Sequence, residues 1–111
     1  MTVLDPSAGY FTLINTFTVE PKRAQALLAH LSKATEELFL HAPGFVSANL
    51  HMSRDRRHVT NYAQWRSQED YDAAVKNPET QAHMRDAAAL ASTFNPIFYD
   101  LIETHLAEPA A

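Results

Sequence analysis

Apolar positions along the chain change period several times, and each change marks an element. Over residues 10–19 they alternate. Phe11, Leu13, Phe17 and Val19 fall on odd positions, and Thr12, Thr16 and Thr18 on even ones. A period of two, in a run rich in β-branched and aromatic residues, predicts a strand with one apolar face. From Pro21 the period becomes helical. Ala24, Leu27, Leu28, Leu31, Ala34, Thr35 and Leu38 share one side, and Lys22, Arg23, Lys33, Glu36 and Glu37 take the other. This predicts an amphipathic helix of about five turns with proline in its first turn. Pro43-Gly44 is the expected stop.

Residues 45–53 predict a second strand with Val46, Ala48, Leu50 and Met52 on its apolar face. Arg54, Asp55, Arg56 and Arg57 make a turn into a third strand over 58–65, so the two form a hairpin. Ser67, with Asp70 three residues on, is a capping-box-like start for a short helix. Asn77-Pro78-Glu79 opens another, running through the Ala-rich stretch to about residue 91. Asn95-Pro96 is expected to break it, with residues 97–106 as the last strand. Residues 1–9 read as an arm and 107–111 as a frayed tail. The order β-α-β-β-α-α-β with right-handed crossovers implies an α+β ferredoxin-like sandwich, a single domain over residues 1–111 with an antiparallel sheet.

The second face of that sheet carries Phe45, Ser47, Asn49, His51, Thr60, Tyr62 and Gln64. It is too aromatic for a bare surface and too polar for a core. A partner-facing surface is expected, with a homodimer as its occupant and a dimeric α/β-barrel as the result.

Composition narrows the chemistry. The 111 residues carry a net charge of −4, no Cys and two Gly. Without Cys there are no disulfides, thiolate metal sites or Cys nucleophiles. Gly9 and Gly44 are too far apart for a Gly-rich phosphate loop. Mild acidity argues against nucleic acid. No apolar run reaches the roughly 20 residues that span a membrane, and the start lacks the features of a signal peptide. A cytoplasmic protein is the default expectation. Six His form no ligand set, although His51 and His58 could face each other across the hairpin, so no metal is expected.

The informative positions are polar residues on apolar faces. Asn15 lies between Leu13 and Phe17 in the first strand, and Asn61 between Val59 and Ala63 in the third. Neighbouring strands would bring the two carboxamides together under the helices. They could bond each other and lock the register, or serve a ligand. Trp65 is four residues beyond Asn61 on the same face, so its indole N–H can join them. Tyr71 shares a helix face with Ala74 and Val75, and Arg85 precedes Ala88 by one turn. A lone helical Arg is more often a solvated charge.

The stretch Pro43-Gly44-Phe45-Val46-Ser47-Ala48, then Val59-Thr60-Asn61-Tyr62-Ala63-Gln64-Trp65, then Ser67 to Tyr71, resembles the antibiotic biosynthesis monooxygenase family. It is most similar to the small anthrone oxygenases of aromatic polyketide pathways. The resemblance implies a ferredoxin-like dimer that uses no metal, flavin or haem and oxidises anthrone-type phenols to quinones with O2. It also implies that Asn61, Trp65, Tyr71 and Arg85 form the site, with Asn15 matching a first-strand Asn of anthracycline-type members. A small aromatic polyketide and O2 are then the partners. Two alternatives stand beside this reading. One is a haem-degrading or quinol-oxidising relative, for which His83 is the candidate iron ligand. The other is a dimeric ligand-binding module without catalysis.

Overall fold

The computed structural model describes residues 1–109. Four strands and three helices follow the expected order: β1 (Phe11–Thr18), α1 (Pro21–Glu37), β2 (Phe45–Met52), β3 (His58–Trp65), α2 (Gln68–Val75), α3 (Pro78–Leu90) and β4 (Thr93–Asp100). The sheet order is β2-β3-β1-β4, and every neighbouring pair is antiparallel. This is the ferredoxin-like sandwich, with the three helices on one face of the sheet.

Local chemistry accounts for the element ends. Pro21 and Pro78 stand in the first turns of α1 and α3. Asn77 accepts from the Glu79 N–H at 2.9 Å, and Ser67 accepts from the Asp70 N–H at 3.1 Å. These side chains satisfy amides that a helix start leaves without intrahelical partners. Gly44 turns the chain into β2 with φ of +79°, in the left-handed region. A Cβ there would also collide with the Asp70 carboxylate that packs against it. The α1 helix ends at Glu37, before Pro43-Gly44, and a single 3₁₀ turn at Phe39–His41 fills the gap.

Three expectations need correction. The last strand is Thr93–Asp100 rather than 97–106, and Pro96 lies inside it, opposite Asn15. β4 is an edge strand, where a proline's missing N–H can face away from the ladder. Phe45 is not on the outer face. It pairs with Trp65 while Ser47 pairs with Gln64, so a bulge at Val46 turns Phe45 inward. His51 sits opposite Thr60 rather than His58. The tail expected over 107–111 lies partly outside the described residues, and 107–109 have no regular structure.

The outer face is polar and partly covered by the chain's own start. Gln64 is 2% exposed; its amide donates to the Val3 carbonyl at 2.9 Å, and its oxygen accepts from the Ser47 hydroxyl at 2.7 Å. Thr2 donates to Asn49, and the Thr16 and Thr60 hydroxyls bond each other at 3.1 Å. The arm thus lies back across β2 and β3. No helix among the described residues is long and apolar enough to cross a membrane.

Between helices and sheet the buried residues fall into two clusters. One joins Phe17, Val19, Ala24, Leu27, Val59 and Ala87. The other joins Leu13, Ala63 and Trp65, with Phe11, Phe39, Phe45 and Tyr71 packed around it.

Candidate active site

The alternation of β1 and β3 determines what stands between those clusters. The β1–β3 register pairs Leu13 with Ala63, Asn15 with Asn61, and Phe17 with Val59. The two carboxamides are therefore direct cross-strand partners on the inward face. They do not lock onto each other. Both Oδ1 atoms are buried and neither has a hydrogen-bond partner. Each such oxygen costs about 1–3 kcal/mol of desolvation that no protein donor offsets. The two lie side by side where apolar residues would have packed, and such a pair is uncommon in a packed fold.

A cavity of about 140 Å³ opens at this row. Its floor is the sheet, with Leu13, Asn15, Asn61, Ala63 and Trp65. One wall is α1, through His30, Leu31, Ala34 and Thr35. The other is α2 and α3, through Tyr71, Val75, Thr80, His83 and Met84. Exposed Met84, Phe94 and Pro96 mark its open side. A cavity of roughly 150 Å³ holds one benzene ring. A polycyclic ligand would thus insert one ring and leave the others at the mouth.

The aromatic end is built edge to face. Trp65 is 3% exposed and meets Phe45 at 5.3 Å, Tyr71 at 5.8 Å and Phe39 at 6.0 Å, each near perpendicular. Tyr71 also packs against Phe11 at 5.8 Å and Phe98 at 5.3 Å. Burial, with the Asp72 carboxylate adding to it, holds the Tyr71 phenol above the ordinary tyrosine value. At neutral pH it is a hydrogen-bond donor and not a base.

Asn15, Asn61, Trp65 and Tyr71 are thus brought to one cavity. Arg85 is not: it lies exposed on α3, outside the lining, while its neighbours His83 and Met84 point in. Residues that sequence reasoning did not place in the site are Phe45, Phe39, His30 and Phe94. His30 carried a readable signal. It falls on the α1 stripe between Leu27 and Ala34, where a polar residue stands out. Among the described residues no group of three or more His, Cys, Asp or Glu could hold a metal ion.

Fold and site together define a small α+β chain with a hollow, carboxamide-lined core. Residues 10–86 match the antibiotic biosynthesis monooxygenase family, and the chain belongs to it. Among its relatives is the tetracenomycin-F1 monooxygenase of Streptomyces glaucescens, 45% identical over 101 residues that cover 91% of this chain and 89% of that one. The structure is similar to that of a monooxygenase from the ActVA-Orf6 gene of Streptomyces coelicolor, solved with the ligand nanaomycin D. The TM-score is 0.78, with 28% identity over 94% of this chain and 96% of that one. It is also similar to SnoaB, a cofactor-independent oxygenase of Streptomyces nogalater. There the TM-score is 0.71, with 25% identity over 86% of this chain and 96% of that one.

Proposed function

We propose that this protein is a monooxygenase of aromatic polyketide biosynthesis that oxidises an anthrone-type phenol to a quinone with O2 and no cofactor. The observation that carries the reading is the pair of unpartnered carboxamide oxygens beneath an aromatic-walled cavity. The monooxygenase names of the relatives support the reaction class, and the description of SnoaB supports the absence of a cofactor.

An anthrone is an electron-rich carbon acid. Loss of one proton gives an anion whose charge rests mainly on oxygen. That anion can pass a single electron to O2, and the resulting radical pair combines to a peroxide. Loss of water then gives the ketone of a quinone, so a CH2 and O2 become C=O and H2O. The protein must exclude water and hold the developing oxyanion. Asn61 and the Trp65 indole are assigned the oxyanion, and Asn15 the neighbouring hydroxyl of the same substrate. Either carboxamide can present its NH2 or its oxygen, since a rotation of the amide exchanges them. Tyr71, kept protonated, is assigned delivery of a proton to the peroxide. Arg85 lies too far out to face the inserted ring and is assigned to the part of the substrate at the mouth or to a partner protomer. The dimer through the outer sheet face belongs to the same proposal.

The test is O2 uptake and quinone absorbance on purified protein given an anthrone in the presence of a chelator. Turnover without added flavin, haem or iron is expected. Turnover that appears only after one of these is added would contradict the cofactor-free reading.

A further inference from the structure

We infer that His83 is the base that removes the substrate's proton, with Glu37 and His30 as the residues that position its ring. This rests on the oxidation proposed above, which needs a proton acceptor and has none among Asn15, Asn61, Trp65 and Tyr71.

Three titratable side chains line the cavity: His30, Tyr71 and His83. The Tyr71 phenol is held protonated. His30 donates its Nε2–H to the His83 carbonyl at 2.9 Å, a bond that holds the two residues together. His83 differs from His30 in having a buried ring nitrogen without a partner, and its two nitrogens differ. Nε2 stands 4.0 Å from a Glu37 carboxylate oxygen, and the Glu37 side chain is half exposed. Nδ1 is buried and has no partner. The lone pair is assigned to Nδ1, with the Glu37 carboxylate on the Nε2 side of the ring. A buried acceptor without a donor is uncommon in a packed fold. Three residues that line the cavity carry such an atom: His83, Asn15 and Asn61. Imidazole is also the side chain that exchanges a proton near neutral pH.

Proton and electron counts close on this assignment. A C–H bond of the substrate breaks, Nδ1 takes the proton, and the electron pair stays on the ring system as the oxyanion. After C–O bond formation the peroxide anion takes a proton from the Tyr71 phenol, and the imidazolium returns its proton to that phenolate. Nδ1 then takes the second proton from the same carbon as the O–O bond breaks. The departing hydroxide leaves with that proton as water, and His83 is neutral again. Glu37 balances the transient imidazolium, and the His30 ring, 5.2 Å from the His83 ring, limits its rotation.

The experiment uses dithranol, a dihydroxy anthrone whose anion absorbs at longer wavelength than the neutral form. Protein and dithranol are mixed without O2, anion formation is followed, and O2 is then admitted. Wild type is expected to form the anion on the enzyme. His83→Gln is expected to bind dithranol, read by quenching of Trp65, but to form the anion roughly 100- to 1,000-fold more slowly. Should the Gln variant not fold, His83→Ala in the presence of added imidazole replaces it, and imidazole is expected to restore the anion.

Glu37→Gln gives a separate readout. The charged and titratable groups facing His83 are Glu37 and His30 on α1, with Lys33 paired to Glu37 at 3.9 Å and Tyr71 across the cavity. Glu37→Gln is expected to slow anion formation at one fixed pH while dithranol binding, read by Trp65 quenching, is unchanged, a split that a merely structural carboxylate would not show. Anion formation at the wild-type rate in His83→Gln, with oxidation intact, would overturn the role of His83 and leave the oxygenase reading standing. Wild type that never oxidises dithranol would remove both.

Discussion

The layer between helices and sheet is filled around Phe17 and Val59 and hollow at the next row of the same two strands. At the filled row Phe17 and Val59 face each other and are closed over by Leu27 and Ala24, neither of which is exposed to solvent. Two residues earlier on β1 and two later on β3, the same inward positions hold Asn15 and Asn61, and packing stops. Beyond them Leu13, Ala63 and Trp65 resume an apolar core, but one whose neighbours are rings meeting edge to face. The comparison teaches that the cavity is not a failure of packing at a domain edge. It is specified by two side chains that the sheet register places together and leaves without partners.

If the two rows differ in this way, mutations should separate stability from activity. Leu27→Ala strikes the filled row. It is expected to cost about 2–5 kcal/mol in denaturant unfolding while turnover per folded molecule stays at the wild-type level. Comparable loss of turnover in the folded protein would erase the distinction between the rows. Asn61→Ala strikes the hollow row. Oxidation of an anthrone should slow by about 100- to 1,000-fold, with melting little changed. Trp65→Phe, which keeps a ring but removes the indole N–H, should slow it in the same direction.

Asn15→Leu sharpens the comparison, because it should fill the row at the boundary. Replacing an unpartnered carboxamide by an apolar group of similar size is expected to leave stability unchanged or raise it by about 1 kcal/mol. In a domain of this size that corresponds to a rise in Tm of about 4 °C or more. A clear fall in Tm would mean that Asn15 has a structural partner after all.

The smallest effect concerns Tyr71. Its phenol is held above the ordinary value chiefly by burial, so the folded state favours the protonated form. That contribution is complete below about pH 10, the unfolded value, and is lost as pH rises through the folded value. Unfolding at increasing alkaline pH should therefore show a loss of stability in wild type that is reduced in Tyr71→Phe. Equal slopes for the two would remove Tyr71 from the buried set.

Much of this is legible in the sequence. Alternation in 10–19 and 58–65 puts Asn15 and Asn61 on the inward face, and strand order makes them neighbours. Trp65 follows from the same alternation, and Tyr71 from the helix face it shares with Ala74 and Val75. What escaped did so for local reasons. A bulge adds one residue without changing composition, so the period-two reading sent Phe45 to the wrong face. Asn95-Pro96 carries a turn signal that an edge strand tolerates, and β4 was therefore displaced by several residues. His30 and His83 sit on different helices more than fifty positions apart, and their meeting depends on how α1 and α3 pack. Arg85 was assigned to the site by resemblance, and the geometry leaves it in solvent.

The central claim is that the orphaned carboxamide row serves a substrate and not the fold. The most direct measurement compares initial O2 uptake by wild type and by folded Asn61→Leu, with an anthrone and a chelator present. The account predicts one O2 consumed per quinone formed by the wild type, and a rate lower by about 100-fold or more in the variant. Equal rates in the two proteins, or no uptake by the wild type, would contradict it.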